Sequence, residues 1–217
     1  EKKLEMKPIP RMSDVRKDVA EIIDDMNIDS TANIALRDQR GIAFELNGDV
    51  CFKSGESIME TTLIEFLDAA VDSFLANPND KRQIVVEGHT DNVSPGRKIA
   101  KKYPTNWELS SARAAAVVNY LINKDVNPSR LVAHGYADRW PADMSWADMR
   151  RGYQLKPVGE NVEIVEGRGG HPEYRGVELD ENKDPIFDKV TMNAIIDSLN
   201  STPDLRAKNR RIKIIFT

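Results

Sequence analysis

Cysteine is nearly missing from this chain of 217 residues: Cys51 stands alone, which excludes an internal disulfide and any zinc site built from several thiolates. A lone thiol suits either a reducing or an oxidising compartment, so it leaves location open. Histidine is scarce too. His89, His134 and His171 have no metal-ligand spacing, and no G-x-S-x-G, H-E-x-x-H or P-loop motif is present, which removes the main sequence signals for an enzyme. No run reaches the roughly 18 apolar residues of a membrane span, and no signal-peptide pattern is visible. The first residue is Glu1 rather than Met, which reads as a fragment, so any anchor or export signal is expected upstream. An excess of positive charge is lacking as well. Against 31 basic residues stand 35 acidic ones, for a net charge of −4, and no basic stripe with interleaved aromatics appears, so no nucleic acid is expected as a ligand.

What is present is ordinary globular composition, 40% hydrophobic and 30% charged, enough for one domain with a sizeable core or at most two small ones. Glu1 to Arg11, with two prolines and no periodicity, reads as a connecting segment. Ser13 is placed to cap a helix whose Val15, Val19, Ile22 and Met26 share one face; that face packs either on the adjoining domain or on a second copy of the chain. Ile42, Phe44 and Leu46 alternate with Ala43 and Glu45 as in a half-buried strand, and Asn47-Gly48-Asp49 reads as the turn of a hairpin-like element. From Ser57 to Ala76, Leu63, Phe66, Leu67, Ala70, Val71 and Phe74 mark the inner side of a helix stopped by Asn77-Pro78. Ile84-Val85-Val86 is a short apolar run typical of a strand covered on both faces. A second helix, Trp107 to Asn123, buries Leu109, Ala114, Val117, Val118 and Leu121. Further strands are expected at Leu131-Val132-Ala133, closing with Gly135, and at Ile212 to Phe216.

The order predicts an α+β domain, an α/β sandwich with a mixed sheet and helices on one face. Residues 1–40 form linker and amphipathic helix, and residues 41–217 form the domain. Residues 137–207 are a long insertion before the last strand, too long for a bare loop. Inside it the pattern predicts a small hairpin around Val162 to Val165, a glycine-rich turn at Gly167 to Gly170, and one helix through Val190, Ala194, Ile195 and Leu199, ending before Pro203.

The strand that ends at Glu87 delivers Thr90 and Asp91 to the carboxyl edge of the sheet, where open α/β sheets form clefts. In the next helix, Arg113 lies two turns after Asn106 and on the same side. Asp91 and Arg113 can bracket a small zwitterion, the carboxylate meeting an ammonium and the guanidinium gripping a carboxylate through two parallel bonds. The plainer reading is that Asp91 caps a turn and Arg113 bridges to it.

Gly88-His89-Thr90-Asp91-Asn92, then Asn106-Trp107-Glu108-Leu109-Ser110-Ser111-Ala112-Arg113-Ala114 with Val117 and Leu121, then Gly135-Tyr136-Ala137 and Asn209-Arg210-Arg211, resemble the signature of the OmpA-like C-terminal domain, in particular its MotB branch. The matching stretches cover roughly half of the chain, from about Gly41 to Gly135 and again from Lys208. The resemblance implies a βαβαββ fold and a non-catalytic domain, without cofactor or metal, that binds peptidoglycan through the diaminopimelate of its stem peptide. In that picture Thr90, Asn106 and Leu109 line the pocket around Asp91 and Arg113, and Arg210 or Arg211 adds a second cation. The resemblance further implies a periplasmic homodimer that anchors a flagellar stator, joined to a MotA-like subunit through a membrane part lying outside this sequence. An OmpA- or Pal-type wall anchor is the alternative.

Two features depart from the family pattern. Phe52 is followed by Lys53, where an acidic residue is frequent, and the 137–207 excursion exceeds the family's usual connection. Two other readings stay in view. Glu87, His89 and Asp91 cluster like an acid–base group, and Trp140, Trp146 and Tyr153 offer a partner-binding surface, against a local mini-core. Glu178, Asp180, Glu181 and Asp184 lack regular calcium-loop spacing and read as a solvated loop.

Overall fold

The computed structural model of the chain describes residues 8–167, 169 and 171–217, and for 33–37 the backbone alone. The first seven residues of the connecting segment, and Arg168 and Gly170 of the glycine-rich turn, lie outside the described residues. In chain order the elements are α1 (Met12–Asp25), β1 (Ala32–Asp38), β2 (Gly41–Asn47), α2 (Gly48–Cys51), α3 (Thr61–Ala70), β3 (Ile84–His89), α4 (Asn106–Asn123), β4 (Leu131–Gly135), α5 (Trp146–Arg151), β5 (Tyr153–Pro157), β6 (Glu163–Glu166), β7 (Pro172–Arg175), β8 (Phe187–Thr191), α6 (Met192–Ser198), α7 (Pro203–Asn209) and β9 (Arg211–Phe216). They fall into two compact units: the chain up to Asp143 together with Leu199–Thr217, and Met144–Ser198.

The first unit is an α+β fold on a five-stranded mixed sheet in the order β1-β2-β9-β3-β4. β9 is antiparallel to both β2 and β3, and β3 runs parallel to β4 with α4 as the connection between them. Side-chain alternation sorts the residues. Phe44, Leu46, Ile84, Val86, Ile212, Ile214 and Phe216 face the helices and join Leu63, Phe66, Leu67, Ala114, Val117 and Leu121 in one core. Each fully buried large side chain contributes about 1.5–3 kcal/mol. The other face carries the small apolar set Ala43, Val85 and Ile215. Toward the end of β3 that face turns polar: Glu87 pairs with Arg40, and Lys213 with Asp38, beneath Tyr136 and Trp140.

The amphipathic helix packs on its own domain. Val15, Val19 and Ile23 are buried in the main core, with Ile22 and Met26 against it, which decides between the two partners open to that face. Ser13 is not its cap: the helix starts at Met12, and Asp14 reaches back to accept the Arg11 N–H. β2 pairs backward with β1 rather than forward, a strand the sequence reading lacks. Asn47-Gly48-Asp49 opens the helical turn α2 instead of a hairpin, because the Asn47 side chain accepts the Asp49 N–H and caps it. α3 starts at Thr61 rather than Ser57, since Met59 is held in a bridge to Phe52, and it continues as a wide π turn, Val71–Leu75, that keeps Phe74 buried.

In the second unit β5 pairs with β8, and β6 with β7 as the expected small hairpin. Val190 lies in β8 and the helix begins two residues later, so it opens after, not through, the first position of the expected pattern. Asp180 accepts the backbone N–H groups of Asn182 and Asp184, which accounts for the acidic stretch as a self-closed loop.

Candidate functional site

Two glycines set the position of the site. A Cβ at Gly88 would lie 2.1 Å from the Ser110 carbonyl oxygen, and one at Gly135 would lie 2.6 Å from the Ser111 nitrogen. Only the missing side chains let the start of α4 rest on the ends of β3 and β4. Thr105 and Glu108 close a capping box there: the Thr105 hydroxyl accepts the Trp107 N–H, and the Glu108 carboxylate accepts the Thr105 N–H.

A cleft of about 620 Å³ opens between this helix start, the end of β3 and the α2 turn, lined among others by Asp49, Phe52, Thr90, Asp91, Val93, Asn106, Leu109, Arg113, Arg206 and Arg210. Of the seven residues singled out in the sequence, Thr90, Asp91, Asn106, Leu109, Arg113 and Arg210 meet here. Arg211 does not. Strand alternation turns it to the other sheet face, where it is buried, donates to the Trp140 carbonyl and pairs with Glu45.

Asp91 and Arg113 do not bridge each other. Asp91 Oδ1 accepts the Val93 N–H at 3.0 Å, a turn cap, and Oδ2 accepts from Arg210 Nη1 at 2.6 Å. Arg210 also donates to both oxygens of Asp49, from Nε at 2.8 Å and Nη2 at 2.6 Å. One guanidinium therefore joins two carboxylates. The Arg210 bonds hold the Asp49 carboxyl below the usual carboxylate range, and the same bonds push Arg210 further up. Asp49 and Arg206 are cleft residues that the sequence reading missed; Asp49 was visible only as part of a turn motif.

Arg113 has a different environment. It is buried at 6% exposure, its Nε donates to the Glu56 carbonyl at 2.9 Å, and its guanidinium carbon lies 5.1 Å from the centre of the Phe52 ring. Among the described residues no carboxylate forms an ion pair with it, since Asp49 and Asp91 are held by Arg210. Burial lowers its pKa, opposed mainly by the field of Asp49. In the same cleft the Thr90 hydroxyl is buried and has no hydrogen-bond partner among the described residues. Asn106 fixes the loop across the cleft by donating to the carbonyls of Asp91 and Val93 at 3.1 and 3.0 Å.

The imagined acid–base group is not assembled. Glu87 and His89 point to the opposite sheet face and are sealed from solvent, while Asp91 lines the cleft. Burial drives the His89 pKa down to about 3, helped by the charge of Arg211, and its ring stacks 5.4 Å from Tyr136. Trp140 is likewise buried, 5.2 Å from Arg40, and so offers no exposed aromatic face to a partner. No helix among the described residues is long and apolar enough to cross a membrane.

The model of the OmpA family matches residues 51–151, a stretch that holds most of this cleft. The uncharacterized protein YtxE of Bacillus subtilis is 42% identical over 110 residues, which are 49% of this chain and 42% of that protein, so the chain spans well under half of that relative's length. A crystal structure of a putative MotB-like protein from Desulfovibrio vulgaris superposes with a TM-score of 0.57 at 17% identity, covering 94% of this chain and 92% of the other. The cell wall anchor of the T6SS from Pseudomonas aeruginosa gives 0.52 at 20% identity, covering 92% and 96%. At these identities the two structures establish a shared fold.

Proposed function

From the OmpA-family domain that residues 51–151 mark out, we propose that this chain is a non-catalytic module that binds peptidoglycan and anchors an envelope complex to the cell wall. The observation that carries the reading is the separation of charge in the cleft. Arg113 is a buried guanidinium with no carboxylate ion pair among the described residues, and in the same cleft two carboxylates share the single guanidinium of Arg210. A carboxylate from outside satisfies the first, and an ammonium satisfies the surplus negative charge of the second. Asp49 and Asp91 against Arg113, Arg206 and Arg210 leave the cleft one positive charge in excess. That balance suits a zwitterion embedded in an otherwise acidic peptide, as the diaminopimelate of a wall stem peptide is. The unpartnered Thr90 hydroxyl and the apolar walls of Leu109 and Phe52 suit its polar end and its methylene chain.

The finer assignment is to the wall-binding part of a flagellar stator, dimeric and lying outside the cytoplasmic membrane, with a MotA-like partner. Its support is the Asn106-Trp107-Glu108-Leu109 segment. A wall anchor of another OmpA- or Pal-type envelope protein has the same site and a different cargo. Sedimentation with purified peptidoglycan tests the common claim: the wild-type chain pellets with the wall, and Arg113→Met stays largely in the supernatant. Equal pelleting of the two overturns it. Swimming in soft agar tests the finer claim in a strain carrying the same substitution; unimpaired motility with lost wall binding sinks the stator assignment alone.

A further inference from the structure

Charge is unevenly placed along this chain. Of its 35 acidic and 31 basic residues, 11 and seven fall between Met144 and Ser198, which leaves 24 of each elsewhere, so the second unit carries the whole surplus of −4. That unit is also short of core. Its buried apolar residues among the described ones are Met144, Ile195 and Ile196 alone, and no residue of β5, β6, β7 or β8 is buried. Two-stranded sheets are marginal in water unless a hydrophobic face of theirs is covered.

The face left uncovered is continuous. Register and alternation put Tyr153 and Leu155 of β5 on one side with Phe187 of β8. The Phe187 ring lies 5.2 Å from that of Tyr174 in β7, edge to face, and Tyr174 stands directly opposite Ile164 in β6. The row therefore runs across both small sheets. Leu155 and Ile164 keep 55% and 63% of their surface exposed. Single exposed apolar side chains are ordinary, whereas a row of them in register marks a contact surface. Acid groups border it. Glu166 shares the Ile164 side of its strand, and Glu178 precedes Leu179, which is 54% exposed and bridged to Pro185, two residues before Phe187. Neither carboxylate forms an ion pair among the described residues.

We propose that this face docks a basic, apolar segment of a partner protein, whose lysine or arginine side chains meet the carboxylates while its apolar ones cover Leu155 and Ile164. Charge selects this occupant. A second copy of the chain brings its own negative surplus to the same face, and an anionic lipid surface is repelled in the same way. The proposal stands apart from the wall reading, since no residue lining the charged cleft lies in this unit.

The test is fluorescence anisotropy on the full chain with three short labelled peptides, of alternating lysine and valine, lysine and serine, and glutamate and valine. The lysine–valine peptide is expected to bind at least about tenfold more tightly than either of the others, because only it supplies both charge and apolar cover. Leu155→Ser combined with Ile164→Ser weakens it about tenfold and leaves the lysine–serine peptide unchanged. Both side chains are more than half exposed, so the variant keeps its thermal transition. A lysine–valine peptide that binds no more tightly than the lysine–serine one, or that binds the double variant as it binds the wild type, overturns the docking face. Sedimentation velocity supplies a further check: a dimer that the double variant dissolves makes a second copy the occupant and overturns the proposal.

Discussion

Arg113→Met separates a binding role from a structural one, because the two predict opposite balances. Methionine keeps a long side chain over Phe52 and deletes the charge. In the free protein the change removes one bond, from Nε to the Glu56 carbonyl, and also removes a guanidinium that burial has stripped of water without supplying a carboxylate. The first effect is worth about 1–3 kcal/mol and the second acts against it, so net stability is expected to move by no more than about 1 kcal/mol. In the complex nothing offsets the loss. A ligand carboxylate forfeits two parallel charge-assisted bonds of about 1.5–3 kcal/mol each. Even the lower sum, about 3 kcal/mol, is a loss of roughly 150-fold in affinity. Calorimetry with the soluble stem peptide measures this directly, whereas the wall itself, being multivalent, understates it through avidity. A folded Arg113→Met protein whose Kd stays within about threefold of wild type refutes the assignment of Arg113 as the carboxylate receptor.

The same geometry sets three further outcomes. Asp91→Asn weakens binding of the stem peptide by roughly ten- to a hundredfold, yet leaves unchanged the already weak binding of a peptide whose free amine is acetylated; equal losses for both would place Asp91 outside the ammonium contact. His89 is neutral in the fold down to about pH 3 and titrates near its ordinary 6.5 when unfolded, so unfolding takes up a proton and stability falls as pH drops between those values. That slope, at most about 1.4 kcal/mol per pH unit, is expected to shrink in His89→Gln between pH 6 and 4.5 in denaturant titrations, and identical slopes refute the burial argument. Gly88→Ala drives a methyl group into the Ser110 carbonyl and is expected to cost about 2–3 kcal/mol, with a matching loss of wall binding; an unchanged melting temperature would show that α4 does not need its close seat on β3.

The parts of the fold that could be read from the sequence are those with a strong local apolar signal. The continuous run Ile84-Val85-Val86 and the helical period of the Leu109 to Leu121 face have it, and both elements lie within a residue or a few of where they were expected. β1 escaped because its period-two signal, Ile34 and Leu36 between polar or small neighbours, is short and stands between a helix and a stronger strand. The ion pair that Asp91 makes could not be read from the sequence for a different reason. Local spacing relates Asp91 to Arg113 across one helix start, but Asp91 is taken by Arg210, 119 residues away, and Asp49 is tied to the same arginine over 161 residues. No local pattern encodes such a pairing; only the insertion of β9 between β2 and β3 creates it. The same alternation that brings Arg210 to the cleft sends Arg211 away from it, a one-residue distinction that the motif Asn209-Arg210-Arg211 leaves open.

The neighbour of that arginine explains how so long an excursion coexists with a preformed site. Asn209 is buried, and its amide accepts the Ala142 N–H at 2.9 Å while donating to the Leu199 carbonyl at 2.8 Å and the Asn200 side chain at 2.9 Å. The chain segments on either side of Met144–Ser198 are thus tied to one side chain before the chain reaches Arg210. Asn200 in turn accepts the Asn92 N–H, beside Asp91. Closing a loop costs only slowly more as it lengthens, so once its ends are fixed a long insertion adds little to the entropic cost of placing Arg210 and β9. Gly48 then donates to the Arg210 carbonyl at 2.7 Å, and the guanidinium is held on Asp49 and Asp91 by bonds that do not wait for a ligand. Two like charges are therefore held together with Arg210 offsetting their repulsion, and under the proposed reading a cationic group meets a receptor that has little left to reorganise.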